Sequence, residues 1–337
     1  MRLHIMVPSI ITTFFFFFFF ILLLYGSFMA ALVTAMNTSE AVLIRVDWTG
    51  RGDFTKIQDA IDAVPSNNAE VVFIWVKPGI YREKIVVPAD KPYITLCGSG
   101  VTKTIVTWRE GVDIFKSATI SVLAPYFVGQ LLTIENTYGV SAQAVALRVE
   151  GDLVAFYACN IVSYQDTLLD DVGRHYYHNC YIEGATDFIC GNGASLFQRC
   201  HLHSTSEYHG SITAQHRESA LDNTGFTFYG CNITSVAPAF LGRPWAAYSR
   251  VVFAITYMSD MIIPQGWDDW NRNKSERSTV YYGEYMCYGP GASTSKRVDW
   301  SKRLTHDEVV PFLNWDMLGG KSWLRPIPRK FKKPGFM

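Results

Sequence analysis

Two aspartates occupy equivalent positions of an internal repeat. Asp166 follows Cys159 by seven residues, and Asp187 follows Cys180 by seven residues. If successive repeats stack in register, equivalent positions lie one strand spacing apart, about 4.8 Å. Two carboxyl groups at that spacing do not both ionise freely, so one keeps its proton while the other is charged. Such a pair supplies one general acid and one nucleophile or base, and the alternative is a polar ladder on a solvated face.

Residues elsewhere in the sequence could supply the other groups that such chemistry needs. The side-chain NH₂ groups of Gln143 and Gln165 are candidate donors to an oxyanion, although either residue alone is weak evidence. Arg243 precedes Pro244, which restricts the backbone there, and a guanidinium beside an aspartate orients the carboxylate and lowers its pKa. Trp245 offers a flat face of the kind that stacks on sugar rings, and its alternative role is core packing.

The repeat that holds the two aspartates predicts a solenoid. Four times an aromatic residue is followed three positions later by cysteine, at Phe156–Cys159, Tyr177–Cys180, Phe197–Cys200 and Phe228–Cys231. A period near 20 residues is typical of one coil per repeat. Short β-rich runs are separated by Gly, Pro and Asn, with no helical pattern between them. We therefore expect an all-β protein with a parallel β-helix fold, and a β-sandwich is the alternative.

The two ends of the solenoid are expected to be covered. Apolar residues at helical spacing within Asp53–Val64 predict a short N-terminal capping helix, with Thr55 and Gln58 as a capping box. Residues 301–324 are expected to form a second cap. No internal linker interrupts residues 42–324, which are predicted to be one domain, and the basic segment 325–337 is expected to be a solvated tail.

The N-terminal sequence is typical of a secretory signal peptide. Arg2 and His4 precede the apolar run Phe14–Leu24, and small residues follow at Ala30–Ala35. Residues 1–35 are therefore expected to be removed, and an uncleaved membrane anchor is the alternative. Secretion would make glycosylation candidates of three N-x-S/T asparagines: Asn37, Asn232 and Asn273.

Composition excludes some classes of partner. The 337 residues carry no net formal charge, which argues against nucleic acid as the main partner. Most histidines fall between His175 and His216 without a convincing third ligand, so solvated histidines are expected rather than a metal site. Seven cysteines is an odd number, so at least one thiol is free or pairs between chains, and the pairing stays open.

The chain resembles the plant pectinesterases (pectin methylesterases) in five motifs that occur in family order. These are Gly79-Ile80-Tyr81-Arg82-Glu83, Gln143-Ala144-Val145-Ala146-Leu147, Tyr164-Gln165-Asp166-Thr167-Leu168, Asp187-Phe188-Ile189-Cys190-Gly191 and Leu241-Gly242-Arg243-Pro244-Trp245. The resemblance covers residues 42–324 and implies a right-handed parallel β-helix that hydrolyses the methyl esters of galacturonate residues in pectin.

The resemblance also implies a role for each site residue. Asp187 would be the nucleophile and Asp166 the acid that then acts as base, while Gln143 and Gln165 stabilise the oxyanion. Arg243 would orient Asp187, and the sugar groove would be lined by Trp245. No metal or cofactor is implied. Pectin would be the partner, together with a proteinaceous pectinesterase inhibitor, and the protein would be a monomer of the extracellular cell wall.

The sequence departs from the family pattern at two places. The family usually has Phe where this chain has Cys190, which changes packing close to Asp187 but removes no reacting group. Many plant members carry an N-terminal helical inhibitor-like domain, whereas this chain is expected to be the form without it. The alternatives to an esterase are a β-helical glycosidase or lyase acting on pectin, and a wall protein that binds pectin without turnover.

Overall fold

The computed structural model describes residues 40–270 and 277–336. Two α-helices lie within these ranges, α1 (Ile57–Asp62) and α2 (His306–Leu313), together with two 3₁₀ turns at Pro290–Ala292 and Asp316–Leu318. The strands in chain order are β1 Glu40–Val46, β2 Val72–Val76, β3 Gly79–Arg82, β4 Ile85–Val87, β5 Ile94–Cys97, β6 Thr104–Trp108, β7 Ile120–Val122, β8 Val128–Gln130, β9 Thr133–Asn136, β10 Leu147–Val149, β11 Val154–Tyr157, β12 Asn160–Val162, β13 Leu168–Asp170, β14 Arg174–His178, β15 Tyr181–Gly184, β16 Thr186–Gly191, β17 Ala194–Gln198, β18 His201–Ser204, β19 Gly210–Gln215, β20 Gly225–Tyr229, β21 Asn232–Ser235, β22 Ala239–Gly242, β23 Arg250–Ala254, β24 Tyr257–Met258, β25 Tyr281–Tyr285, β26 Lys302–Arg303 and β27 Lys330–Lys332.

The strands form three parallel sheets. Sheet 1 runs in the order β26, β25, β23, β20, β17, β14, β11, β8, β5, β2 and β1. Sheet 2 runs β22, β19, β16, β13, β10, β7 and β4, and sheet 3 runs β24, β21, β18, β15, β12, β9, β6 and β3. Each coil therefore contributes one strand to each sheet and pairs with the next coil. This arrangement confirms the predicted parallel β-helix and excludes the sandwich.

The aromatic repeat forms a ladder in the core of sheet 1. Phe156, Tyr177, Phe197 and Phe228 are paired in register on successive strands and are fully buried. Adjacent rings are stacked, with centroids 5.5 Å apart for the first pair and 4.6 Å apart for the next two. Stacked pairs of this kind add about 0.5–1.5 kcal/mol each beyond the area they bury, which favours the observed register.

A single backbone conformation explains why cysteine follows each aromatic residue at the same distance. The residue directly before each repeat cysteine has φ between 48° and 64°, in the left-handed region, at Ala158, Asn179, Arg199 and Gly230. That one residue turns the chain from sheet 1 into sheet 3, and the cysteine that follows is buried. All seven cysteines are free thiols, so the repeat cysteines pack as small apolar residues.

The N-terminal helix is present, but its predicted capping box is wrong. The residue before the helix is Lys56, and no side chain of the preceding turn caps it. The carboxylate of Glu83 instead accepts hydrogen bonds from the backbone N–H groups of Ile57 and Gln58, both at 3.0 Å. Ile57 and Ile61 are fully buried, so the helix covers the first coils as expected.

The chain divides by its internal contacts into two units. The described residues of the large unit are 42–270, 277–325 and 333–336, and those of the small unit are 40–41 and 326–332. In the large unit, the guanidinium of Arg325 donates to the backbone carbonyls of Tyr93 and Tyr126, and burial lowers its pKa to about 10. Arg325 is therefore anchored rather than solvated, contrary to the expected start of the tail. In the small unit, Lys330–Lys332 is an exposed strand.

Other predictions fall outside the described ranges. The signal segment 1–35, Asn37 and Asn273 are among the residues whose structure is not described. No helix in residues 40–270 and 277–336 is both long and apolar enough to cross a membrane.

Candidate active site

The two repeat aspartates lie side by side at the N-terminal ends of β13 and β16, two neighbouring strands in the interior of sheet 2. Leu168 on β13 pairs with Ile189 on β16, and Gln165 forms a bridge with Thr186. This register brings Asp166 opposite Asp187, as the repeat predicted. Both aspartates have left-handed backbone conformations, with φ of 58° and 50°. Non-glycine residues are uncommon in that region, but other turns of this β-helix, such as those at Ala158 and Asn179, share it.

Arg243 fixes the orientation of the Asp187 carboxylate. Its Nε donates to Oδ1 at 2.8 Å, and its Nη2 donates to Oδ2 at 2.6 Å, a bidentate pair. The carboxylate is only 7% exposed. Burial by itself would lower the pKa of the Arg243 guanidinium, but the hydrogen bonds to Asp187 and its charge outweigh burial and raise the pKa. The geometry therefore fixes both oxygens of the Asp187 carboxylate.

Asp166 is the carboxyl group of the pair that keeps its proton. Burial, and then the charge of Asp187, raise the pKa of Asp166 from 3.8 to about 7, and Arg243 opposes the shift. At a pH below that value Asp166 is a proton donor beside an ionised partner. Burial and a neighbouring carboxylate thus give Asp166 the raised pKa that a general acid needs.

All six predicted site residues line one cavity of about 290 Å³. Gln143 lies just before β10, where its carbonyl accepts a hydrogen bond from Val112, and Gln165 lies just before Asp166. Neither side-chain amide donates a hydrogen bond to a protein group in the described chain. Both NH₂ groups are therefore available to a ligand in the cavity, as an oxyanion donor must be.

Trp245 belongs to both the cavity and the packing beneath it. Its ring centroid lies 4.3 Å from that of His216, and it packs against a buried cluster that includes Leu169 and Cys190. Cys190 also lines the cavity. Burial raises the pKa of the Cys190 thiol well above its usual value, so this side chain is a small apolar wall where the family usually has Phe.

Sequence reasoning missed four residues of the cavity, Val112, Ile114, Ala214 and Trp270. Trp270 is the most informative of them, because its ring lies 3.9 Å from the guanidinium carbon of Arg243. The only feature of the sequence that points to Trp270 is the aromatic-rich segment Trp267–Trp270. Within it, Trp267 is buried in the core and Trp270 is not.

The histidines form no metal site in the part of the chain that the structure describes. The expectation that they are solvated is wrong for His175, which is fully buried and hydrogen-bonded to Asp170 at 2.6 Å. His201 and His203 instead share the hydroxyl of Thr234, at 2.8 and 2.6 Å. Glycosylation candidate Asn232 is exposed at the start of β21.

Comparison with known proteins identifies the family. The pectinesterase family model matches residues 43–320. The chain belongs to the pectinesterase family. An Arabidopsis thaliana protein named "Putative pectinesterase 11" is 57% identical over 301 residues, which cover 89% of this chain and 85% of the relative.

Solved structures of pectin methylesterases have the same fold. The carrot enzyme superposes with a TM-score of 0.80 at 36% identity, covering 84% of this chain and 94% of that one. A pectin methylesterase solved in complex with a hexasaccharide superposes with a TM-score of 0.72 at 26% identity, covering 86% and 99%. These matches confirm the right-handed parallel β-helix, and the predicted activity on pectin methyl esters is confirmed at the level of the family.

Proposed function

We propose that this pectinesterase removes methyl groups from galacturonate residues of homogalacturonan by a covalent mechanism centred on Asp187. The observation that carries the proposal is the pairing of Asp187 with Arg243 at 2.8 and 2.6 Å beside an Asp166 whose pKa is raised to about 7. A fixed carboxylate and an adjacent proton donor are the two groups that acyl transfer from an ester to a carboxylate requires.

In the first step, an oxygen of Asp187 attacks the ester carbonyl carbon. The carbonyl oxygen becomes an oxyanion, and the free amides of Gln143 and Gln165 donate hydrogen bonds to it. The C–OCH₃ bond then breaks as Asp166 gives its proton to the departing methoxy oxygen. Methanol leaves, and an anhydride joins Asp187 to the galacturonate carboxyl carbon.

In the second step, the ionised Asp166 takes a proton from water, which attacks the galacturonate carbonyl carbon of the anhydride. The bond to Asp187 breaks, the galacturonate leaves as a free acid or carboxylate, and both aspartates return to their first states. Arg243 keeps Asp187 oriented throughout, and Trp245 offers the sugar a flat face. The scheme uses no metal or cofactor.

We further propose the setting in which the enzyme acts. The signal-like residues 1–35 support secretion with cleavage near Ala30–Ala35, and exposed Asn232 supports glycosylation at that position. The expected setting is the plant cell wall, with pectin as substrate, a monomeric enzyme, and a proteinaceous inhibitor as a further partner. Asn37 and Asn273 are the other glycosylation candidates.

The test is methanol release from highly methylated pectin by the wild type and by Asp187→Asn, with solution viscosity followed in parallel. The Asn side chain keeps the size of Asp187 but is a poor nucleophile. We expect methanol from the wild type alone at constant viscosity. Falling viscosity without methanol would point to the glycosidase or lyase alternative. Pectin binding without either signal would point to a non-catalytic wall protein, and wild-type rates from Asp187→Asn would refute the nucleophile.

A further inference from the structure

A second cavity, of about 240 Å³, lies at the ends of the first strands of sheet 3. It is lined by Arg82, Thr107, Trp108, Arg109 and Thr137. The strand register builds it, because Arg82 at the end of β3 pairs with Thr107 on β6. None of its lining residues belongs to the active-site cavity.

The two arginines of this cavity are available to a ligand. Both Arg82 and Arg109 are exposed, and neither guanidinium group makes a hydrogen bond or an ion pair with another group in residues 40–270 and 277–336. The nearby carboxylate of Glu110 is neutralised by Lys84, at 2.7 Å. Hydrogen bonds from Lys84 and from Trp108 lower the pKa of Glu110, so it is ionised and already satisfied. Glu110 is therefore engaged elsewhere, and the two guanidinium groups have no ion-pair partner in the described residues.

The tryptophan of this cavity is held in a fixed position. Trp108 donates its Nε1–H to Glu110 at 3.0 Å. Its backbone carbonyl accepts hydrogen bonds from the N–H of Thr137 at 2.9 Å and from the Thr137 hydroxyl at 3.1 Å. The polar edge of the ring is thus occupied, and its half-buried apolar body lines the cavity.

We propose that this cavity binds a de-esterified galacturonate residue of homogalacturonan, the product of the reaction rather than its substrate. A planar guanidinium binds a carboxylate through two parallel hydrogen bonds, and an aromatic face packs against a sugar ring. A methyl ester has no charge to offer the arginines, so the cavity distinguishes free from esterified residues. The inference rests on the proposed function for the identity of the polymer.

The position of the cavity allows one polymer chain to occupy both sites. Arg109 is only three residues before Val112, which lines the active-site cavity, so their Cα atoms are at most about 11 Å apart. The backbone N–H of Val112 donates to the carbonyl of Gln143 at 2.8 Å, which ties this short segment to the active site. A homogalacturonan chain with one residue in the active site can therefore place a neighbouring free carboxylate against Arg82 and Arg109.

The test is the affinity of the intact protein for decagalacturonate, measured by calorimetry at low and high salt. We expect the double variant Arg82→Gln/Arg109→Gln to bind about tenfold more weakly than the wild type at low salt, because two charge-assisted contacts are lost. The matched control is Arg51→Gln/Arg199→Gln, which removes two exposed charges from elsewhere and should bind like the wild type. Equal affinity of the two double variants would overturn the inference.

Two further probes define the ligand class. In an Asp187→Asn background, which should not hydrolyse the probe, fully methyl-esterified decagalacturonate should bind equally well with and without the Arg82/Arg109 changes. Replacing the two arginines should weaken the binding of dextran sulfate much less than the binding of decagalacturonate. An equal loss for either probe would overturn the assignment to a uronate carboxylate. Methanol release from a short, fully esterified substrate should be unchanged in the Arg82/Arg109 variant.

The outcome is separable from that of the proposed function. One outcome is that the wild type releases no methanol while the Arg82/Arg109 variant still binds decagalacturonate more weakly than the wild type. That pair of results would support the second binding site and contradict the esterase activity. Normal methanol release by the wild type, together with equal decagalacturonate affinity of the wild type and the Arg82/Arg109 variant, would support the esterase activity and contradict the second binding site. Unfolding temperatures of both double variants should match the wild type, since all four residues are exposed.

Discussion

The guanidinium of Arg243 lies over the ring of Trp270, with 3.9 Å between the guanidinium carbon and the ring centroid. The same guanidinium holds both carboxylate oxygens of Asp187. Trp270 is itself held, because its backbone N–H donates to Asp268 at 3.0 Å and its φ of 52° is left-handed. A residue with no direct bond to Asp187 therefore supports the position of that carboxylate.

Replacing Trp270 by alanine should lower catalysis. A partly buried cation–π contact contributes about 0.5–2 kcal/mol, so we expect kcat to fall by about 2- to 30-fold for Trp270→Ala. Trp270→Phe keeps an aromatic face and should lose less. Since Trp270 also lines the cavity, kcat and KM are measured separately, and a change confined to KM would contradict the positioning role.

The raised pKa of Asp166 predicts the pH dependence of the enzyme. Asp166 must be protonated to give its proton to the leaving group, and its pKa is about 7. Its active form is present below pH 7 and is lost as the pH rises through that value, so kcat/KM should fall up to tenfold per pH unit on the alkaline side. Initial methanol release is measured from pH 5 to 9, with the fold monitored by circular dichroism. A rate that rises steadily through pH 9 would contradict Asp166 as the acid.

The fold and the reacting aspartates could be predicted because the sequence repeat determines both the coil and the positions of the two aspartates within it. Equivalent positions in successive coils must be neighbours, so the spacing of Asp166 and Asp187 from their cysteines predicted their contact. Trp270 could not be found this way, since it follows the last regular coil, where the period is lost. The environment of His175 also includes the backbone carbonyl of Gly151 in the preceding coil, 3.0 Å from its Nε2, and the position of His175 within one repeat does not reveal that contact.

The N-terminal helix also shows that local sequence does not reveal contacts between residues that are distant along the chain. Local sequence suggested Thr55 and Gln58 as its cap, whereas the acceptor is Glu83, which lies 26 residues beyond Ile57. Rules for helix ends consider only residues that are close along the chain. They therefore do not detect a carboxylate such as that of Glu83, which directly follows β3. Glu83 belongs to a motif that resembled the family, but its structural role became evident only from the three-dimensional contacts.

Removing the Glu83 carboxylate should destabilise the N-terminal cap. Loss of a helix N-cap acceptor costs about 0.5–2 kcal/mol, and we expect a loss in that range for Glu83→Ala, because two backbone donors lose their partner. Chemical denaturation gives the free energy of unfolding. Asp90→Ala is a control at an exposed acidic residue of the same region. A stability of Glu83→Ala equal to that of the wild type would show that water replaces the carboxylate without cost.

The buried side chain of Asp170 provides a prediction about stability alone. It accepts hydrogen bonds from Tyr177 at 2.7 Å, from His175 at 2.6 Å and from the Ser195 hydroxyl, and all four residues are fully buried. Tyr177→Phe removes one donor and leaves Asp170 short of a partner, so the free energy of unfolding should fall by about 1–3 kcal/mol.

The matched control for this change is Tyr157→Phe. It removes a hydroxyl that makes no hydrogen bond in the described chain, and it should change stability by less than about 0.5 kcal/mol. Because Asp170 lies at the far end of β13 from Asp166, kcat for methanol release should be unchanged in Tyr177→Phe at temperatures where it is folded. A large loss of kcat in a fully folded Tyr177→Phe protein would mean that the buried cluster positions the catalytic aspartates as well as stabilising the coil.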